Sequence, residues 1–88
     1  MNYYIYVLFS GKDRKLYIGY STNLKQRIKQ HICGEVKSTK NRRPLYLIYY
    51  EVFCLKSDAE AREKYLKSGY GHEQLKNILK NFFTSQKI

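Results

Sequence analysis

A compact set of side chains suited to acting on a phosphodiester lies between residues 17 and 31. Arg27 and His31 are four residues apart, so on a helix they point the same way, and we expect both on its exposed face. Tyr17 lies in the strand predicted before that helix, which places its phenol beside them. A guanidinium fork, an imidazole that can carry a proton near neutral pH and a phenol form a cluster of donors with a candidate base.

Each of these residues alone has an ordinary structural explanation. Strand tyrosines usually pack in the core, and a single arginine or histidine on a helix usually faces solvent or satisfies a local hydrogen bond. A protein that only binds phosphate would also carry this cluster. The elements around the cluster are therefore needed to choose between the explanations.

The composition of the chain points to a polyanionic partner. Its 88 residues allow one domain, and 17 Lys and Arg against 7 Asp and Glu leave a formal charge of +10. The basic residues are spread along the chain without a basic amphipathic helix, which favours nucleic acid over a membrane surface. Cys33 and Cys54 have no metal-binding spacing, and we expect reduced, buried thiols. Without a membrane span or signal peptide, the predicted location is cytoplasmic.

The first half of the chain predicts a hairpin followed by a helix. Residues 3–9 are β-branched and aromatic, and their alternation separates Tyr6 from Val7 on opposite faces. A loop at 10–15 leads to a second strand at 16–19, which should pair antiparallel and bring Tyr6 near Tyr17. Residues 21–23 are helix-capping types, and Gly34 can end the helix. Its predicted buried stripe consists of Leu24, Ile28 and Ile32.

The second half predicts a basic loop, a strand and two helices. The loop at 35–44 carries Lys37, Lys40, Arg42 and Arg43. This composition is equally typical of a solvated connector and of a segment that contacts phosphate. The apolar run at 45–53 predicts a central strand covered on both faces. A helix capped by Ser57 or Asp58 should reach about residue 67. After Gly69 and Gly71, which should break the helical pattern, a last helix at 72–82 should bury Leu75, Ile78, Leu79 and Phe82.

These elements predict an α+β fold with the order β-β-α-β-α-α. Its three-stranded sheet, mixed or antiparallel, should be flanked by helices. We expect one domain over residues 1–83 and a frayed tail at 84–88.

A series of spaced motifs resembles the GIY-YIG endonuclease family. Tyr4-Ile5-Tyr6 and Tyr17-Ile18-Gly19 are separated by ten residues, with Arg27 eight residues after the glycine and His31 four later. The similarity continues through Thr39-Lys40, Arg43-Pro44 and Arg62-Glu63-Lys64, and so covers nearly the whole chain. Its overall form resembles the small stand-alone bacterial branch, which is related to the nuclease domain of a bacterial repair excinuclease. Tyr4 stands where the family name has glycine, and Asn77 and Asn81 are both candidates for a family asparagine.

The resemblance implies hydrolysis of DNA phosphodiester bonds with one divalent ion, Mg²⁺ or Mn²⁺, in repair or recombination. It assigns Tyr6 and Tyr17 as the motif tyrosines, Arg27 as the essential arginine, His31 as the helix histidine and Glu63 as the metal ligand. A single carboxylate suits a hard cation that keeps most positions for water and phosphate oxygens. Glu60, one helical turn earlier, is the rival carboxylate.

Two questions stay open at this stage. The general base is either Tyr17, whose free phenol has a pKa of about 10, or His31, whose unperturbed pKa is near 6.5. For the function we favour DNA cleavage, because all five catalytic positions that the resemblance implies are present; the alternative is nucleic-acid binding without turnover through the same basic face, alone or as a subunit of a repair complex. DNA in duplex, branched, nicked or single-stranded form, RNA, and an unidentified protein partner are all compatible with the residues.

Overall fold

A three-stranded antiparallel sheet with helices on both faces forms the protein. We describe residues 1–86 in a computed structural model. The strands and helices are β1 (Tyr3–Ser10), β2 (Leu16–Ser21), α1 (Leu24–Ile32), a 3-10 turn (Lys40–Arg42), β3 (Leu45–Phe53), α2 (Lys56–Leu66), α3 (Gly69–Ile78) and α4 (Lys80–Ser85). The predicted α+β class and element order are confirmed, with one additional helix at the end.

The strand order β2-β1-β3 places β1, and not β3, at the centre of the sheet. Every residue of β1 from Ile5 to Ser10 is buried, because a strand lies on each side of it and helices cover both faces. β3 is an edge strand, and Tyr46, Leu47, Tyr50 and Val52 are exposed on it. The prediction of a central β3 was wrong because its tyrosines can keep their hydroxyl ends in water, so an apolar sequence did not require complete burial.

The alternation of side chains along β1 is confirmed by two separate clusters. Ile5 and Val7 pack with Ala59 and Leu66 of α2 on one face of the sheet. On the other face, Tyr6 and Leu8 form a cluster with Leu45, and α1 covers them with Leu24 and Ile28. The second face carries Tyr6 and Tyr17 and is covered by α1, which holds Arg27 and His31, whereas Glu63 belongs to α2 on the first face.

Helix α1 starts and ends as its sequence predicts, but the residue that its last turn buries is not the predicted one. The Asn23 side chain accepts a hydrogen bond of 3.1 Å from the Gln26 amide, and Gly34 ends the helix with a φ of +78°. Ile32 is 57% exposed, whereas His31 is fully buried. The predictions of a buried Ile32 and an exposed His31 were both wrong, because hydrogen bonds satisfy the buried imidazole.

The junction between α2 and α3 depends on close packing. Helix α2 begins before Ser57 and Asp58, and no side chain caps it. Gly69 and Gly71 lie inside α3 and do not break it; the Ser68 side chain caps this helix by accepting from the Gly71 amide. A Cβ on Gly71 would lie 2.8 Å from the Tyr65 carbonyl carbon and closer to its oxygen. The glycine therefore allows α3 to turn tightly against the end of α2.

The predicted last helix is divided in two at Leu79, which lies between α3 and α4. Leu75 is buried as predicted, Ile78 is 47% exposed, and Leu79 and Phe82 are half-buried. The predicted frayed tail is helical at residues 84–85, and its residues 87–88 lie outside the described part.

Cys33 and Cys54 are free thiols, but both are exposed, so the prediction of burial was wrong.

Among residues 1–86, the helices are too short or too polar to cross a bilayer.

Candidate functional site

Tyr6 lies at the centre of the site and is positioned by the strand next to it. Its side chain has no solvent exposure, and its pairing partner on β2 is Gly19. A Cβ on Gly19 would lie 2.8 Å from Cε2 of the Tyr6 ring and closer to Cζ and the hydroxyl. The absence of a side chain at residue 19 therefore allows the phenol to lie flat across β2 and reach α1.

A buried chain of hydrogen bonds connects Tyr6 to the loop after α1. The Tyr6 hydroxyl is 2.8 Å from Nε2 of His31, and Nδ1 of His31 is 2.7 Å from Oγ1 of Thr39. Thr39 Oγ1 also lies 3.5 Å from the Val36 carbonyl. One proton arrangement satisfies all of these groups: Thr39 donates to Val36, His31 Nδ1–H donates to Thr39, and Tyr6 donates to Nε2.

Arg27 and Tyr17 complete the side of the site that faces α1. Arg27 Nε donates to the Tyr6 hydroxyl at 3.4 Å, and Nη1 donates to Gln30 Oε1 at 3.3 Å. The remaining guanidinium donors are available to an oxyanion. The Tyr17 ring centroid is 5.2 Å from that of His31 and 6.4 Å from that of Tyr6. Tyr17 is half-buried, unlike the Tyr6–His31 pair.

The buried Tyr6–His31 pair is neutral near neutral pH. Burial, followed by the nearby Arg27 charge, lowers the pKa of His31 from 6.5 to about 4. Burial also raises the pKa of the Tyr6 phenol, an effect that the Arg27 hydrogen bond opposes. At neutral pH His31 is therefore an acceptor and Tyr6 a donor, which agrees with the proton arrangement above.

Glu63 is a half-buried carboxylate of α2 whose charge acts on Tyr6. Its carboxylate is among the nearby charges that raise the pKa of Tyr6, after the larger effect of burial. The Glu63 side chain is 25% exposed and pairs with Lys67 at 3.1 Å, whereas Glu60 faces solvent. Of the two candidate carboxylates, Glu63 is thus the one whose charge acts on the tyrosine cluster.

The ligands that the described residues offer suit only a divalent ion that needs few protein ligands. Residues 1–86 contain no group of three or more His, Cys, Asp and Glu side chains that could hold a metal. Glu63 supplies one hard carboxylate at the mouth of the site. This suits an ion such as Mg²⁺, which binds through one or two carboxylates and takes the remaining ligands from water and substrate phosphate.

The basic segment at residues 35–44 contains one arginine that is paired within the fold and three cations that are exposed. Arg42 pairs with Asp13 at 2.6 Å and so ties the segment to the β1–β2 hairpin. Lys37, Lys40 and Arg43 are exposed, although Arg43 Nε donates to the Lys40 carbonyl at 3.0 Å. The segment is therefore anchored to the fold by Arg42, and its other three cations face solvent.

Thr39 is the site residue that sequence reasoning did not identify. It belongs to the Thr39-Lys40 motif, but its burial and its bond to His31 depend on how the 35–44 segment folds back over α1. Three short polar residues, Ser38, Thr39 and Asn41, look equivalent in that segment. The family motif was the signal that distinguished Thr39, and it carried no information about a role.

Comparison with known proteins gives consistent results. Residues 2–77 match the GIY-YIG catalytic domain. A UPF0213 protein of Staphylococcus haemolyticus is 43% identical over 77 residues, covering 86% of this chain and 93% of the relative. One from Clostridium perfringens is 42% identical over 77 residues, covering 85% and 81%. The solution NMR structure of a UPF0213 protein from Bacillus halodurans is similar with a TM-score of 0.57 and 37% identity, covering 89% of this chain and 85% of that one.

Proposed function

The chain belongs to the GIY-YIG family, among its small stand-alone UPF0213 members, and on this premise we propose that it is a divalent-metal-dependent endonuclease that hydrolyses phosphodiester bonds in DNA. The observation that carries the proposal is the Arg27 guanidinium donating at 3.4 Å to the buried Tyr6 phenol, which is itself bonded to His31 at 2.8 Å. Arg27 supplies the positive charge that phosphodiester hydrolysis needs, and Glu63 of α2 would supply the carboxylate for a metal ion.

Arg27 is suited to stabilising the negative charge that develops on the phosphate. Its bonds to Tyr6 and Gln30 fix the guanidinium plane, and its other donors can bind a non-bridging oxygen. Because these donors are already positioned, little reorganisation accompanies the reaction. A lysine would retain the charge but lose the fork.

Tyr17 is better placed than His31 to contact the attacking water. His31 has no solvent exposure, and both of its ring nitrogens have hydrogen-bond partners. Tyr17 is half-buried and lies against the imidazole edge. We therefore assign Tyr17 as the group that orients the attacking water and, as a phenolate that has first released its own proton to solvent, accepts the proton of that water; the Tyr6–His31 pair is its buried support.

Glu63 would hold the divalent ion, and Asn77 and Asn81 are left without a role. When bound, the ion supplies a Lewis acid that lowers the pKa of water and neutralises phosphate charge. Within the chain itself, Lys67 partly offsets the Glu63 charge. That ion pair also favours the second candidate function, a nucleic-acid-binding module without turnover, since a carboxylate paired with lysine does not require a metal.

The test is cleavage of plasmid DNA during titration with Mg²⁺ and Mn²⁺. We expect activity that depends on the ion and falls by roughly a hundredfold or more in Glu63→Gln and in Arg27→Lys. Glu60→Gln and Lys29→Gln are the matched controls, since both residues are exposed on the same two helices, and both variants should cleave as the unchanged protein does.

Three results would argue for the binding module instead. They are no cleavage with either ion, equal activity in Glu63→Gln and Glu60→Gln, and DNA affinity that Glu63→Gln leaves unaltered in a protein without turnover. Circular dichroism of each variant ensures that any loss of activity comes from the site and not from unfolding.

A further inference from the structure

A positively charged cleft lies beside the site, between the end of α1, the 3-10 turn and the start of β3. Its volume is about 730 Å³, and three cations line it: Lys12, Lys40 and Arg43. No carboxylate of the described residues lines it. Asp13, the acid next to Lys12, is already paired with Arg42 at 2.6 Å. The charge of the cleft is thus left for an anionic ligand to balance.

The same cleft has an aromatic wall. The Tyr46 side chain is 54% exposed and Ile32 is 57% exposed, so two large apolar groups face solvent beside the three cations. The Tyr46 ring lies close to Gly11, where an added Cβ would be 3.2 Å from its Cε2. A glycine at that position leaves room for the ring beside the hairpin. Asn41, also in the lining, offers an amide that can both donate and accept hydrogen bonds.

Cations next to an exposed aromatic ring match the two parts of a nucleotide. Phosphate needs positive charge, and a base needs a flat apolar surface on which to stack. A simple phosphate site would not need Tyr46, and an apolar protein ligand would not need three unbalanced cations. The combination therefore selects a nucleotide from among the anionic ligands.

The cleft borders the buried cluster that contains Tyr6. Leu45 lines the cleft and also packs in that cluster. Ile32, another residue of its lining, directly follows His31 in α1.

We propose that this cleft binds one unpaired nucleotide of the substrate, with its base stacked on Tyr46 and its phosphate held by Lys12, Lys40 and Arg43. The inference rests on the proposed function, since it concerns the nucleic acid on which the site acts. A base inside a duplex has neighbours on both faces and cannot stack on Tyr46. The substrate is therefore a single strand, or a duplex that carries an unpaired nucleotide.

The test measures binding and not cleavage. Fluorescence anisotropy in excess chelator compares a short labelled oligothymidylate with a duplex of the same length. We expect Tyr46→Ala to weaken single-strand affinity by roughly tenfold and duplex affinity by less than about twofold. Tyr46→Phe, which keeps the stacking surface, should bind as the unchanged protein does. Tyr50→Ala is the matched control, because Tyr50 is 50% exposed on the same strand and lies outside the cleft.

Charge is tested by Lys12→Gln against Lys56→Gln, both at exposed positions. Only Lys12→Gln should reduce single-strand affinity and flatten its salt dependence. Equal losses from Tyr46→Ala and Tyr50→Ala, or unchanged binding in Tyr46→Ala, would overturn the proposal and leave a protein partner as the occupant. Because the chelator prevents metal-dependent turnover, this outcome is independent of whether Glu63→Gln abolishes cleavage.

Discussion

One methyl group added at Gly19 should disrupt the hydrogen bonds on which the site depends. In Gly19→Ala the new Cβ would overlap the Tyr6 ring, being 2.8 Å from Cε2 and closer to two further atoms. The ring is fully buried, and its hydroxyl is held by His31 at 2.8 Å and by Arg27 at 3.4 Å. It cannot move away from β2 without lengthening both bonds.

The size of the effect can be worked from these contacts. Overpacking a buried position costs about 1–3 kcal/mol, and each weakened hydrogen bond adds about 1 kcal/mol. A smaller gain, from the reduced freedom of alanine in the unfolded chain, opposes this by less than about 1 kcal/mol. We expect a net loss of roughly 2–4 kcal/mol, which in a domain of this size lowers Tm by on the order of 10–30 °C. Cleavage should fall even at temperatures where the variant is folded.

Gly69→Ala is the control for this experiment. A Cβ at Gly69 would have no neighbour within 4 Å, so that variant should melt within about 4 °C of the unchanged protein or slightly above it. Thermal melts followed by circular dichroism measure both. If Gly19→Ala were as stable and active as Gly69→Ala, the Tyr6 ring could not lie across Gly19, and the geometry that we derive for the site would be wrong.

Two further predictions concern the buried histidine. Stability should fall as pH decreases from 6.5 towards 4, because the unfolded chain protonates His31 at its ordinary pKa of 6.5 while the folded protein resists until about 4; the loss attributable to His31 reaches roughly 3 kcal/mol. Urea melts across that range should show it, and an equally steep profile in His31→Gln would contradict the assignment. Thr39→Val leaves the buried Nδ1 without its partner and should cost about 1–3 kcal/mol, whereas Thr39→Ser should retain most of the stability in the same urea assay.

Much of the fold could be predicted because its signals are local. The alternation along β1 depends on the two-residue period of a strand, and the start and end of α1 depend on Asn23 and Gly34. The antiparallel pairing of β1 with β2 follows once the hairpin loop is recognised, but the register that places Tyr6 opposite Gly19 does not. The candidate site was reached through family spacing, since no local rule distinguishes Tyr6 and Tyr17 from the other tyrosines.

The errors share a physical cause, which is that burial depends on distant parts of the chain. β3 has a central strand's composition, but β1 and β2 already pair as a hairpin, so β3 adds at the free edge of β1 and β1 becomes the central strand. His31 was expected at the surface because histidine is polar. Its burial is stabilised by a hydroxyl from β1 and another from the segment after α1, and neither contact can be read from helix spacing.

The contacts of the neighbouring residues Arg62 and Glu63 also depend on the fold and not on their place in the sequence. In the sequence they are adjacent members of a charged run. In the fold, Arg62 binds both carboxylate oxygens of Glu51 on β3, at 2.8 Å and 2.9 Å, so it joins α2 to the sheet. Glu63 faces another direction and pairs with Lys67 within its own helix.

The distribution of charge in the site explains why its centre is neutral. A buried ion would carry a large desolvation cost, and here that cost keeps His31 uncharged and Tyr6 protonated. Arg27 and Glu63 lie at the partly exposed rim, where water can solvate them before substrate binds. The neutral pair can therefore fix the geometry of the site without being titrated near neutral pH, and the charged groups remain accessible to phosphate and to a metal ion.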